Sequence, residues 1–485
     1  MLGRITPIRC FQIAFVVVAA GLIAISLFRG YPAHQDEVFF KAAGLHWATG
    51  EGWRAPEEEN YAGWTPPLQE VFASYPPTYP FLFGVLIKGF GFSQTTANFY
   101  DASIHVLLAV VLLIFARRAL PHLPLVAWTL GLCWLLCGYP ARPDRLAMLF
   151  GFAALALVLT PPVGSKRWLD FLAGVLLGLC AATSVPAAVA IGPLVIGLCC
   201  RGQVRMVFTR LSAIGLTATA VAILVCLPVY LYDVRSLQQN MDATARITHA
   251  LGFAEGFRHL LRLNTATAVC SGLLIGAGLV LSRPEDNRAW WRWIRWSIVP
   301  LVPLAFFLTK SAFQANYHWF LIPWFAVALF APERKMPPPL LWRTVILIAA
   351  FSLPMLYAQR TTMSALVTGG DQRVERYRAV VEAVVPPGAV VLARDYWWLL
   401  GERNRVLDPM VWTTADSRPE YLVLSGYGSG ALGRPNALSP AQFSRDYELV
   451  VNQIGRSVPT LFGVPLSRST FSAGPVIYRR KNASD

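Results

Sequence analysis

Residues 95–118 read TTANFYDASIHVLLAVVLLIFARR, a polar start followed by a long apolar run and two arginines. A helix over 95–115 would be long enough to cross the roughly 30 Å hydrocarbon core of a bilayer. Arg117 and Arg118 come directly after it, as is typical of the end of a span that stays in the cytoplasm. The stretch therefore predicts a membrane-spanning helix.

Similar apolar runs recur along the chain, and together they predict about eleven spans. The predicted spans cover residues 11–28, 95–115, 123–139, 146–160, 168–184, 186–200, 211–232, 265–281, 293–308, 319–330 and 340–357. The predicted fold class is an α-helical polytopic membrane protein.

Composition and charge agree with this class. The 485 residues are 55% hydrophobic and 14% charged, whereas soluble domains are roughly one-quarter charged. If the N-terminus is cytoplasmic, every cytoplasmic segment carries at least two Lys or Arg residues, which is the positive-inside pattern. The net charge of +15 is thereby explained without a nucleic-acid partner. All eight cysteines lie in or beside apolar runs, where they indicate packing rather than a disulfide framework.

This orientation places a long first loop (29–94) and the C-terminal region (359–485) outside the cytoplasm. In the C-terminal region, apolar segments at 389–393, 421–424 and 475–479 alternate with a helix predicted at 372–385 and a capping box that begins at Ser439. We predict a transmembrane domain over 1–358 and a small soluble extracytoplasmic α/β domain over 359–485.

The first outer loop carries seven of the 27 acidic residues and opens with the pair Asp36-Glu37. A helical pattern follows over 38–49, and the segment YPPTYP occupies 75–80. An acidic pair soon after the first span, followed by Pro-Pro-x-Tyr-Pro, resembles the GT-C superfamily of polyprenyl-phosphate-sugar glycosyltransferases. Within it, the chain is most similar to the protein O-mannosyltransferases and the aminoarabinose transferases of lipid A. The resemblance covers about the first 330 residues.

The resemblance implies that Asp36 lies at the catalytic centre, with Glu37 beside it. Transfer from a polyprenyl-phosphate sugar needs a base that takes the proton of the acceptor, while the lipid phosphate is already a good leaving group. The alternative is that Asp36 only caps the helix that follows.

A second matching motif is YPARPDR at 139–145, directly before a leucine-rich span. The resemblance implies that Asp144 is a second catalytic carboxylate. Arg142 and Arg145 are then candidates for binding the donor phosphate. The alternative is an ion pair within a solvated turn.

The third motif is QANYHWFLIP at 314–323. By the same resemblance, Tyr317, His318 and nearby Lys310 are candidates for binding the donor phosphate. An interfacial aromatic belt would explain the same residues.

Asn98, Asp101 and His105 share one face of the second predicted span. Polar groups inside a span usually face a cavity, so Asp101 and His105 are candidates for a relay. Polar contacts that only hold the bundle together are an equal alternative.

The predicted function is an integral membrane glycosyltransferase that passes a sugar from a polyprenyl-phosphate donor to an extracytoplasmic lipid, glycan or protein, and the resemblance implies that the transfer inverts the anomeric carbon. The family implies a bacterial inner membrane. A divalent metal stays open, and the lack of a Gly-rich phosphate loop predicts no nucleotide cofactor. The rivals are a transporter or lipid flippase and a non-catalytic subunit of an envelope complex.

Overall fold

The structure is a computed structural model of the full chain. It describes residues 6–28, 35–54, 75–137, 142–160, 167–200, 204–232, 234, 238, 254–255, 258, 265–281, 290, 294–308, 319–330, 339–367, 374–393, 404–407, 419–424, 444–454, 460–461, 464–465 and 473–481. Lys310, Tyr317, His318 and the capping box at Ser439 lie outside the described residues.

Helices dominate the chain up to residue 367. They are α1 (Pro7–Phe28), α2 (Gln35–Thr49), α3 (Thr78–Phe90), α4 (Gln94–Ala119), α5 (Pro124–Leu136), α6 (Pro143–Val158), α7 (Arg167–Ala181), α8 (Val185–Cys199), α9 (Val204–Tyr232), α10 (Thr265–Leu281), α11 (Leu301–Leu308), α12 (Ile322–Ala328) and α13 (Pro339–Val367), with a π-helical turn at Ile294–Ile298. Some of their starts follow ordinary rules, either with a proline in the first turn, as in α5, α6, α8 and α12, or with a capping side chain. Ser93, for example, accepts a 3.0 Å hydrogen bond from the backbone N–H of Thr96 at the start of α4.

Three of the described helices are long and apolar enough to cross a membrane: Pro7–Leu27, Thr95–Ala119 and Met206–Tyr232. The other apolar stretches that match predicted spans are shorter, such as Trp342–Leu356 within α13, so the count of eleven stays a prediction. The predicted span 293–308 is divided into the π-helical turn and α11. Pro300 lies at the break, where its missing N–H removes a helical hydrogen bond. Helix α3 was not predicted.

The bundle packs through small residues and aromatic rings. A Cβ atom added to Gly174 would lie 2.8 Å from the Ile214 carbonyl oxygen, and one added to Gly178 would lie 2.6 Å from that of Ala218. The spacing Gly-x-x-x-Gly therefore lets α7 and α9 approach closely. Elsewhere in the core the Trp296 and Trp324 rings stack with centroids 4.5 Å apart.

Beyond α13 lie helix α14 (Val374–Val384) and the strands β1 (Val390–Ala393), β2 (Arg405–Leu407), β3 (Tyr421–Leu424), β4 (Tyr447–Ile454), β5 (Thr460–Leu461), β6 (Val464–Pro465) and β7 (Ala473–Arg480). Five strands form a mixed sheet in the order β2-β1-β3-β7-β4, in which β1 is parallel to β2 and β3 and β7 is antiparallel to β3 and β4. Val391, Val423 and Ile477 of this sheet belong to the same hydrophobic cluster as Phe40 of α2 and Phe83 of α3. The sheet thus shares a core with α2 and α3, the two helices within the first outer loop.

Candidate active site

A buried polar cluster lies where α6 begins. Asp144 is in the first turn of this helix and has no exposed surface. Pro143 occupies a first-turn position, and the extended Arg142 (φ −136°, ψ 157°) is the N-cap. The positive end of the helix dipole favours a carboxylate at this position.

Three separate segments donate hydrogen bonds to the Asp144 carboxylate. Arg142 Nε donates to Oδ2 at 3.0 Å, and Ser184 Oγ, just before α8, donates to Oδ1 at 3.0 Å. The Tyr75 hydroxyl, before α3, lies 3.4 Å from the same Oδ1. The Arg142–Asp144 ion pair predicted as the alternative is present, but it is buried rather than solvated.

The segment that carries Tyr75 is held on the turn between α7 and α8. The backbone N–H and the hydroxyl of Thr78 both donate to the Ala182 carbonyl oxygen, at 3.2 and 2.7 Å. Ser184 is two residues beyond Ala182. This contact therefore fixes Tyr75 relative to Ser184, and both residues donate to Asp144.

Helix α2, whose first turn carries the predicted pair Asp36-Glu37, packs beside this cluster. The Phe40 ring lies 4.7 Å from the Tyr75 ring, and Arg142 Cζ lies 5.1 Å from the Phe40 centroid. Asp36 is in the first turn of α2, four residues before Phe40. The described side chains do not include Asp36 or Glu37, so the position of the pair beside Asp144 stays a prediction.

A second polar cluster contains Lys41, the residue after Phe40 in α2. A buried ion pair lies at its centre. Lys41 has no exposed surface and pairs with Asp101 of α4. The Tyr79 hydroxyl donates to Asp101 Oδ1 at 2.7 Å, and the Tyr100 hydroxyl donates to the Tyr79 carbonyl oxygen at 2.8 Å. Lys41 Nζ also lies 5.3 Å from the Phe83 ring centroid. Sequence reasoning missed Lys41, although a single lysine within the apolar run 38–45 was a signal for it.

His105 lies one turn deeper in α4 than Asp101 and is buried. Its Nε2 is 3.4 Å from the Leu135 carbonyl oxygen, and the charge of Arg145 is within electrostatic range. Within the described part of the chain, Nδ1 has no hydrogen-bond partner. No described hydrogen bond joins His105 to Asp101, so the relay stays a prediction.

Charged side chains stabilise the C-terminal end of α2. Glu51 Oε2 lies 2.9 Å from both His46 Nδ1 and Arg54 Nη2. Partial burial raises the pKa of Glu51, but hydrogen bonds and charge from His46 and Arg54 outweigh that effect and leave the pKa below its ordinary value of 4.5. Glu51 therefore stays ionised near neutral pH and holds the C-terminal turn of α2.

The described residues do not fit a metal centre. Both Asp144 oxygens already accept hydrogen bonds from protein donors. Among the residues that the structure describes, no three His, Cys, Asp or Glu side chains are grouped so as to hold an ion.

Ser184→Ala is expected to lower the free energy of unfolding by about 1.5–3 kcal/mol, because a hydrogen bond to a charged, buried carboxylate is lost. Unfolding in mixed detergent and SDS micelles measures the change. The control is Ser352→Ala, since Ser352 is only half-buried and its described hydrogen bond goes to the Ala349 carbonyl oxygen of its own helix. The control should change stability by about 0.5 kcal/mol or less. Equal effects of the two variants would contradict the described network.

No protein-family model matches the chain, and no curated protein matches it in sequence. Solved structures match its fold. ArnT from Cupriavidus metallidurans in the apo state has a TM-score of 0.55 and 14% identity, with 98% of each chain covered. The same protein bound to undecaprenyl phosphate gives a TM-score of 0.53, 13% identity and 98% coverage of each chain.

The Archaeoglobus fulgidus oligosaccharyltransferase, tethered to an acceptor peptide, gives a TM-score of 0.50 and 12% identity over 95% of this chain and 75% of that one. The mycobacterial arabinofuranosyltransferase AftD gives a TM-score of 0.50 and 13% identity over 98% of this chain and 40% of that one. At such low identity the similarity shows the fold alone. The chain therefore has the fold of the GT-C membrane glycosyltransferases, as the sequence resemblance predicted.

Proposed function

We propose that the protein is an integral membrane glycosyltransferase that moves a sugar from a polyprenyl-phosphate donor to an extracytoplasmic acceptor. The observation that carries the proposal is the convergence of α2, the segment 75–79, α6 and the start of α8 on one buried polar cluster. The fold supports it, since the matched structures include transferases and one holds undecaprenyl phosphate. The hydrocarbon chain of such a donor suits a site at the end of spanning helices.

Asp36 is proposed as the general base. The acceptor oxygen attacks the anomeric carbon from the face opposite the phosphate, its proton passes to the Asp36 carboxylate, and the bond between carbon and phosphate oxygen breaks with inversion. Glu37 is proposed to assist from the next position on the helix. Lipid phosphate leaves with an additional negative charge.

Arg142 and Arg145 are proposed to stabilise that departing charge, because a guanidinium binds phosphate oxygens through paired N–H groups. Asp144 contributes by holding Arg142, since its carboxylate is buried and its two oxygens are occupied in this conformation. Lys310, Tyr317 and His318 remain further candidates for the phosphate site, and Asp101 and His105 for a relay.

We also propose the predicted orientation, with the N-terminus in the cytoplasm and residues 359–485 forming a soluble α/β domain outside. The bacterial inner membrane is the proposed location. The proposed boundary between these two parts stays at residue 358, which lies within helix α13.

The experiment is transfer by the purified chain in proteoliposomes supplied with a panel of radiolabelled polyprenyl-phosphate sugars and a membrane extract as acceptor. The labelled sugar is expected to leave one class of carrier and to appear on an acceptor. Its anomeric configuration there should be opposite to that in the donor. If no carrier loses its sugar while labelled lipid moves between leaflets, the chain is a flippase and the proposal is wrong. If neither event occurs in the presence of the cell's own lipid and acceptor extract, a non-catalytic role is favoured.

A further inference from the structure

A cavity of about 540 Å³ lies between the start of α1, the end of α4 and the start of α5. Along α4, Arg117 at this cavity is sixteen residues from Asp101, a separation of about 24 Å in a helix. The cavity is therefore at the end of the bundle opposite the candidate active site. In the proposed orientation it opens at the cytoplasmic leaflet.

The lining of the cavity is amphipathic. Leu113, Ile114 and the Trp128 ring form apolar walls, whereas Gln12, Arg117 and Arg118 supply polar groups. None of the described lining residues is acidic. The volume falls within the roughly 300–1,000 Å³ that is typical of small-molecule sites.

The two arginines differ in what they already bind. Arg118 Nη1 donates to the Ala156 carbonyl oxygen and to Thr160 Oγ1, both at 2.6 Å, so it caps the end of α6. Arg117 is exposed and makes no hydrogen bond or ion pair with the part of the chain that the structure describes. A cation without a partner among the described residues, beside a fixed second cation, attracts a phosphate group.

Apolar side chains of α1 and α4 extend from the cavity along the two helices. Ile8 and Gln12 line the cavity from α1, and Val16 follows at the same helical spacing with 64% of its surface exposed. Ile114 of α4 is also exposed, at 42%. An acyl chain could lie along these side chains while its head group stays at the arginines, and Trp128 has the amphipathic ring typical of the membrane interface.

We propose that this cavity binds an anionic glycerophospholipid of the cytoplasmic leaflet, with its phosphate at Arg117 and Arg118 and one acyl chain between α1 and α4. Basic pockets between spanning helices are suited to such head groups, because the phosphate is attracted electrostatically and the chains are already in the bilayer. The site is independent of the sugar-transfer site, since the two lie at opposite ends of the bundle.

The test is native mass spectrometry of the full chain in detergent, titrated with phosphatidylglycerol or with phosphatidylcholine of the same acyl chains. The wild type is expected to retain phosphatidylglycerol in preference to phosphatidylcholine. Arg117→Gln is expected to weaken phosphatidylglycerol binding about tenfold, the loss of one charge-assisted contact, and to leave phosphatidylcholine binding unchanged. Arg9→Gln is the control, because Arg9 is an exposed arginine near the same end of α1 that does not line the cavity.

A second variant, Ile114→Trp, fills the cavity without changing the charge and should reduce phosphatidylglycerol binding as well. This variant carries the test if Arg117→Gln does not fold. Equal retention of the two lipids by the wild type would overturn the proposal, as would unchanged phosphatidylglycerol binding in both variants. Preferential displacement of phosphatidylglycerol by undecaprenyl phosphate would also overturn it, because the occupant would then be the donor carrier.

Discussion

Asp36→Asn is expected to lower the rate of sugar transfer by about 10²–10⁴-fold, with donor binding nearly unchanged. General-base catalysis contributes an effect of this size, and asparagine keeps the shape of the side chain while it removes the basic oxygen. Single-turnover transfer from a labelled polyprenyl-phosphate sugar measures the chemical step directly. Glu37→Gln is expected to have a smaller effect, because the resemblance places the first acid of the pair at the catalytic centre.

Glu448→Gln is the matched control for the loss of one negative charge. Glu448 is on β4, where it pairs with Arg479 at the surface, and no described contact links it to the start of α2. The control should transfer sugar at the wild-type rate. An Asp36→Asn enzyme that works within threefold of the wild type would remove Asp36 as the base, and a larger loss in Glu37→Gln would move that role to Glu37.

Lys41→Met is expected to lower the free energy of unfolding by about 3–5 kcal/mol. The lysine is fully buried, so its removal leaves the Asp101 carboxylate as a buried charge without its cation. Unfolding in mixed detergent and SDS micelles measures the loss. The double variant Lys41→Met/Asp101→Asn should recover much of it, because the charge is gone while asparagine still offers an acceptor to the Tyr79 hydroxyl.

Lys88→Met is the control for Lys41→Met. Lys88 is exposed on α3 and lies 3.6 Å from the Trp47 ring centroid, a contact worth about 0.5–1 kcal/mol at an exposed site. Similar losses in the two lysine variants, or a double variant less stable than Lys41→Met, would contradict a buried ion pair that joins α2 to α4.

The helical part of the fold could be predicted because each span carries its own signal. The predicted span 186–200 and helix α8 (Val185–Cys199), for example, differ by one residue at each end. Helix α3 escaped prediction since Thr78–Phe90 is too short to cross a bilayer and follows two prolines that indicate a loop. Strand β4 escaped because irregularities in its pairing with β7 interrupt the alternation that marks a strand.

The candidate site could be predicted only in part. The acids Asp36 and Asp144 stand out because they lie at turns beside spans, and a family pattern contains them. The partners of Asp144 could not be found in this way, since Tyr75 and Ser184 are ordinary polar residues 69 and 40 positions away along the chain. Lys41 and Asp101 are 60 positions apart, so only the packing of α2 on α4 shows that they pair.

The account depends most on a lipid phosphate that lies between the start of α2 and the start of α6. A cryo-electron microscopy map of the Asp36→Asn variant with undecaprenyl phosphate in a nanodisc tests this directly. The predicted result is head-group density within about 4 Å of the Arg142 or Arg145 guanidinium and next to residue 36. The account would be contradicted by a well-defined head group elsewhere in the map, if the two helix starts are themselves well ordered and no density lies between them.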